Sequence, residues 1–141
     1  MVGRDNIVSS IRQYAEDTCI NSSHLNQAVV YEFIQNGWLD RHVESLISLY
    51  RKRLNAMLDS LETFIGIKGK WLEPQGGFFA GLTLDRNVNI PDTQSCNAAG
   101  IALSNSQGFF LDGGENYLRL PFCALTPDEI RTGIQRLASL L

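Results

Sequence analysis

The stretch Tyr117-Leu118-Arg119-Leu120-Pro121-Phe122-Cys123 alternates apolar with bulky or polar side chains, and Thr126-Pro127-Asp128-Glu129 follows it after two residues. Successive side chains of an extended chain point to opposite faces. Leu118, Leu120 and Phe122 therefore face a core, while Tyr117 and Arg119 face the other way. Pro121 cannot donate a ladder hydrogen bond, which predicts a strand at a sheet edge. Thr126-Pro127-Asp128-Glu129 reads as a capping box with proline at the first helical position. Ile130, Ile134, Leu137 and Leu141 then recur on one helical face, expected against that sheet.

Upstream, Phe78, Ala80, Leu82 and Leu84 alternate with Phe79, Gly81 and Thr83, which predicts a second strand. Before it, Leu39, Val43, Leu46, Tyr50, Leu54, Met57 and Leu61 form one stripe at steps of three or four. Arg41, Glu44, Arg51, Lys52 and Asp59 fill the other side, so a long amphipathic helix is expected, stopped at Gly66. Gly66-Ile67-Lys68-Gly69-Lys70 reads as a polar turn. Near the start, Ile7, Ile11 and Tyr14 share a helical face behind Asp5 or Asn6 as the cap. Asn21-Ser22-Ser23 offers another cap, for a short apolar helix through Ala28, Val29, Tyr31, Phe33 and Ile34 that Asn36-Gly37 can end. The helix of residues 28–34 has too few polar groups for a solvated element, so a covering surface is expected. The fold class that results is α+β, a small mixed or antiparallel sheet covered by helices on one face, with the long helix leading in.

With 141 residues, 44% of them hydrophobic, the chain suits one compact unit. Its 12 basic and 15 acidic residues provide no broad positive field, so nucleic acid is not an expected partner of this segment. Cys19, Cys96 and Cys123 are odd in number and far apart, which points to reduced thiols and a cytoplasmic setting, with no disulfide framework and no metal site. No run approaches the roughly 20 apolar residues that span a bilayer, and the first ten residues carry no export signal, so no membrane is expected. His24 and His42 sit in helical patterns without a partner carboxylate and nucleophile at motif spacing, so no catalytic residue is assigned to either.

Several motifs, taken in order, resemble one family. They are Ser23-His24-Leu25-Asn26-Gln27, then Trp38-Leu39-Asp40-Arg41-His42 with Tyr50-Arg51-Lys52-Arg53, then Trp71-Leu72-Glu73-Pro74-Gln75-Gly76-Gly77-Phe78-Phe79, and last Tyr117 to Phe122 before a helix with Ile130 and Gly133. Together they resemble the C-terminal, small-domain portion of class I/II pyridoxal-phosphate-dependent aminotransferases of fold type I, nearest to aminoadipate-type enzymes and the aminotransferase domains of MocR-like regulators. The resemblance implies that residues 1–28 are the end of a large domain, 29–65 linking helices and 66–141 the small α+β domain. It implies a homodimeric parent with a large domain before Met1, and an amino group moved between an amino acid and a 2-oxo acid. It also implies the alternatives of a ligand-sensing domain in a MocR-like regulator, or a non-catalytic interaction module.

Arg119 is the candidate substrate residue: by resemblance it holds the α-carboxylate, and a guanidinium fork fits a carboxylate bidentately. Read without the family, it is a strand arginine paired with a nearby Asp or Glu; the motif around it reverses that reading. Gly76 and Gly77 either let a ligand approach the backbone or simply make a turn. The family's cofactor lysine has no counterpart in context here. The chain's three lysines, Lys52, Lys68 and Lys70, read as solvated side chains, so no covalent bond to the cofactor is expected within this segment. The family's Pro-Gly-x-x-Phe before the arginine strand is here Ser106-Gln107-Gly108-Phe109-Phe110, without the proline.

Overall fold

The computed structural model describes residues 3–19, 23–103 and 106–141. They fall into two compact units, Met1–Ser45 and Leu46–Leu141. The first holds α1 (Asp5–Cys19), α2 (His24–Gln35) and the start of α3 (Trp38–Ser60). Ser23 caps α2, its hydroxyl accepting the Asn26 N–H at 3.4 Å; Asn21 and Ser22 lie outside the described residues. Gly37, at φ 68°, lets the chain leave α2 and re-enter a helix, a backbone state that side chains disfavour. Phe33 meets the edges of Trp38 at 5.8 Å and His42 at 5.7 Å. No residue of α2 is buried, and Val29, Val30 and Tyr31 are each more than half exposed.

The second unit is built on an antiparallel sheet of β1 (Gly69–Trp71), β2 (Phe79–Leu84) and β3 (Tyr117–Pro121), in that order. β3 lies at an edge, as Pro121 predicts. Ala80, Leu82 and Leu84 from β2, with Leu118, Leu120 and Phe122, form the core face. Met57, Leu61 and Ile65 cover it from one side, and Ile130, Ile134 and Leu137 of α5 (Pro127–Leu140) from another. Leu141 is half-buried against the same cluster. The architecture is thus α+β, one sheet face under helices.

Two details differ from expectation. α3 does not run straight to Gly66; it widens into a π turn at Leu61–Ile65 before Gly66, at φ 53°, ends it. Leu61 and Ile65, four residues apart, share its buried face. The apolar stripe is also buried only along its C-terminal half: Met57 and Leu61 are enclosed, whereas Leu39 and Val43 are exposed. The second detail concerns Gly66 to Lys70, expected as a polar turn. Its last two residues, with Trp71, form strand β1, where a side chain on Gly69 would come within 2.9 Å of Leu82 Cδ1 and the Thr83 carbonyl. Glycine there is required by close packing.

Between β2 and β3, Asp92 caps the short helix α4 (Thr93–Ala98), accepting from Ser95 N at 2.9 Å and Ser95 Oγ at 2.7 Å. These bonds hold its carboxyl below the usual aspartate range. The α5 capping box forms as read: Glu129 Oε2 accepts from Thr126 N at 2.7 Å and Thr126 Oγ1 at 2.8 Å, while Thr126 Oγ1 accepts from Glu129 N at 3.3 Å. The Thr126 backbone bond, more than its hydroxyl, holds the Glu129 carboxyl below the usual range.

Thr126→Ala is expected to cost about 1 kcal/mol in urea unfolding. Because the folded pKa of Glu129 is depressed, its contribution is complete above the ordinary glutamate value and disappears as pH falls through the folded one. Thr126→Ala keeps the backbone N–H and loses only the hydroxyl's bond to the carboxylate, so the gap between it and the unaltered chain should narrow modestly in acid; a gap constant down to pH 3 would show that the hydroxyl's part does not depend on the carboxylate.

Candidate functional site

The alternation that buries Leu118 and Leu120 directs Arg119 to the opposite face of the sheet, where it is half-buried. Its cross-strand partner is Gly81. With no side chain on Gly81, the Tyr117 ring lies over it: a Cβ there would come within 2.9 Å of Tyr117 Cε2. The Arg119 guanidinium carbon sits 3.2 Å from the centre of the Phe79 ring and 4.8 Å from that of Phe109. Stacking uses the flat faces of the guanidinium, whereas its N–H donors lie in the plane and point outward from the stack. Among the described residues no carboxylate pairs with it, so the structural ion pair left open by the sequence is not made. The geometry combines a preoriented cation, aromatic walls that displace water from it, and donors available to a planar anion.

The loop before β3 completes the arrangement. Ser106 is 4% exposed, and its hydroxyl accepts the backbone N–H of Arg119 at 3.1 Å. Its carbonyl accepts from Phe109 N at 3.1 Å, closing the turn Gln107–Phe109 that delivers the Phe109 ring. Phe110 meets the edge of Tyr117 at 5.1 Å. The sequence carries no pattern that announces this role for the serine, because the contact joins residues 13 positions apart.

Gly76 and Gly77 are exposed, with open space where a Cβ would stand on either. Gly77 has φ 82°, so the turn into β2 accounts for it; Gly76 carries no such constraint. The lysines stand apart. Lys52 is exposed on α3, and Lys68 is half-buried, its amine 3.5 Å from the Ala138 carbonyl, so it is not the solvated side chain expected. Lys70 is exposed on β1, beside a shallow hollow of about 330 Å³ over Gly81 whose other walls include Trp71, Leu72 and Tyr117.

Cys96 is a buried free thiol whose pKa is raised by burial and then by nearby Asp92; Cys123 is free and half-buried. Among the described residues no cluster of three or more His, Cys, Asp or Glu could hold a metal. No helix among them is long and apolar enough to cross a membrane.

No family model matches the chain. An aromatic-amino-acid aminotransferase of Thermococcus litoralis is 32% identical over 93% of this chain and 31% of its own length. The crystal structure of an α-aminoadipate aminotransferase from Thermus thermophilus, complexed with N-(5'-phosphopyridoxyl)-L-leucine, is 26% identical at a TM-score of 0.87, over 99% of this chain and 36% of that one. The HTH-type transcriptional regulator NorG of Staphylococcus aureus is 22% identical over 97% of this chain and 31% of its length. The chain thus spans about a third of the length of the curated relatives it matches.

Proposed function

We propose that this chain, which along nearly its whole length resembles the C-terminal, small-domain portion of class I/II fold-type-I pyridoxal-phosphate-dependent aminotransferases, supplies the α-carboxylate anchor of such an enzyme. The reaction moves an amino group between an amino acid and a 2-oxo acid. The observation that carries this reading is Arg119, held between Phe79 and Phe109 with no acidic partner among the described residues. A substrate carboxylate laid on its fork has its amine fixed in direction, a contribution of placement and not of proton transfer.

The residues described do not fit the cofactor. Lys68 directs its amine to the Ala138 carbonyl at 3.5 Å, Lys52 is exposed on α3, and the hollow beside Lys70 is largely apolar, with a single cation among its lining residues, a poor match for a phosphate dianion. We therefore assign pyridoxal phosphate, and the lysine that bonds it, to residues outside this segment, with residues 1–28 as the end of that large domain, 29–65 as linking helices and 66–141 as the small domain. The exposed apolar side chains of α2 support a covering large domain or second subunit, and the free thiols support a cytoplasmic setting. This segment alone is inactive.

Purified chain mixed with pyridoxal phosphate, reduced with borohydride and digested tests the assignment. Scattered, substoichiometric labelling of surface amines is expected. A stoichiometric visible band mapping to one of the lysines would overturn it.

The similarity to NorG along the same length supports a second reading, in which the fold senses a ligand for a MocR-like transcription regulator. Both readings use Arg119. In the regulator, Arg119→Ala removes a ligand's effect on DNA occupancy; in the enzyme it removes turnover.

A further inference from the structure

We infer that Ser106 is a positioning residue for Arg119, an inference that rests on the reading of Arg119 as the carboxylate anchor. β3 is an edge strand with Gly81 of β2 opposite Arg119, and the Arg119 backbone N–H is directed to Ser106 on the strand's free side. An outer-edge amide without a strand partner is left to water or to a side chain. Here the Ser106 hydroxyl takes it, at 3.1 Å and 4% exposure. One residue thereby does two things. Its hydroxyl pins the backbone from which the guanidinium projects, and its carbonyl closes the turn that sets Phe109 at 4.8 Å from that guanidinium.

The serine thus makes the strand-to-loop contact through its hydroxyl. Removing the hydroxyl leaves a buried N–H without an acceptor, and the strand and loop then gain freedom where the fork must be aimed. The expected result is weaker carboxylate binding with the fold retained.

The test uses the ¹⁵N-labelled chain with acetate as probe, following the Arg119 side-chain Nε–H and its backbone amide, for Ser106→Thr and Ser106→Val. Threonine and valine are nearly equal in volume and differ in the hydroxyl, so any packing effect is common to both. Ser106→Thr should bind acetate within about twofold of the unaltered chain, and Ser106→Val about five- to tenfold more weakly, with the Arg119 amide exchanging at least about tenfold faster. Equal acetate affinity in the two variants, while Arg119→Ala abolishes binding, would overturn the role of Ser106 and leave the Arg119 reading standing. Acetate that fails to perturb Arg119 in the unaltered chain would overturn the Arg119 reading, and this inference with it. A readout independent of any variant is the Arg119 amide in the unaltered chain: protection is expected, and exchange at the rate of an open loop would overturn the hydrogen bond itself.

Discussion

Arg119→Ala, made in a protein that carries this segment, is expected to lower kcat/KM for the amino-acid substrate by roughly thirty- to thousandfold, the loss of about 2–4 kcal/mol of charge-assisted bidentate binding. Stability should move little. The side chain lies on the face opposite Leu118, Leu120 and Phe122, so its removal opens no hole in the core. What the fold loses is the stacking on Phe79, worth about 0.5–2 kcal/mol. Arg119→Lys should recover part of the activity, because an ammonium supplies charge without the planar fork. Steady-state kinetics beside unfolding midpoints separate the two effects. Efficiency within about twofold of the unaltered protein, or outright unfolding, would make the arginine structural.

The largest effect on the fold itself is expected from Leu82→Ala. Leu82 is fully enclosed, lies in the central strand, and pairs with Trp71 on one side and Leu118 on the other. Truncation should cost about 2–5 kcal/mol, the range for a buried leucine whose cavity closes only in part. Total stability is typically about 5–15 kcal/mol, so this is a large share of it. The thermal midpoint should fall by roughly ten degrees or more. Leu82→Ala also checks register: a slip of one residue would turn Leu82 outward and leave the change nearly silent. A loss below about 1 kcal/mol in urea unfolding would contradict the pairing of β2.

The contrast between these two substitutions follows the line between what was legible in the sequence and what was not. Alternation at residues 78–84 and 117–123 and the box at Thr126 carry β2, β3 and α5, because each signal lies within a short run of consecutive residues. β1 was missed because Gly69-Lys70-Trp71 is three residues long and punctuated by glycine. It is a strand because it pairs antiparallel with Leu82, Thr83 and Leu84, at a distance that leaves no room for a Cβ on Gly69. α4, six residues long, has a capping aspartate but too short a pattern to register a period. The stripe on α3 showed which side is apolar but not that burial begins in earnest only near Met57. At the site, Arg119 was found through the resemblance and its outward direction through alternation. Phe79 and Phe109, which stack on it, come from another strand and a loop, and only register and turn geometry bring them there.

The most direct measurement is a crystal structure of a protein carrying this segment, bound to N-(5'-phosphopyridoxyl)-L-leucine, the ligand seen in the Thermus thermophilus neighbour. The account predicts the leucine carboxylate lying flat against the Arg119 fork, both oxygens about 2.7–2.9 Å from guanidinium nitrogens, with the pyridoxyl ring and phosphate held by residues outside this segment. A carboxylate bound elsewhere, with Arg119 still stacked on Phe79 and touching no ligand atom, would contradict it.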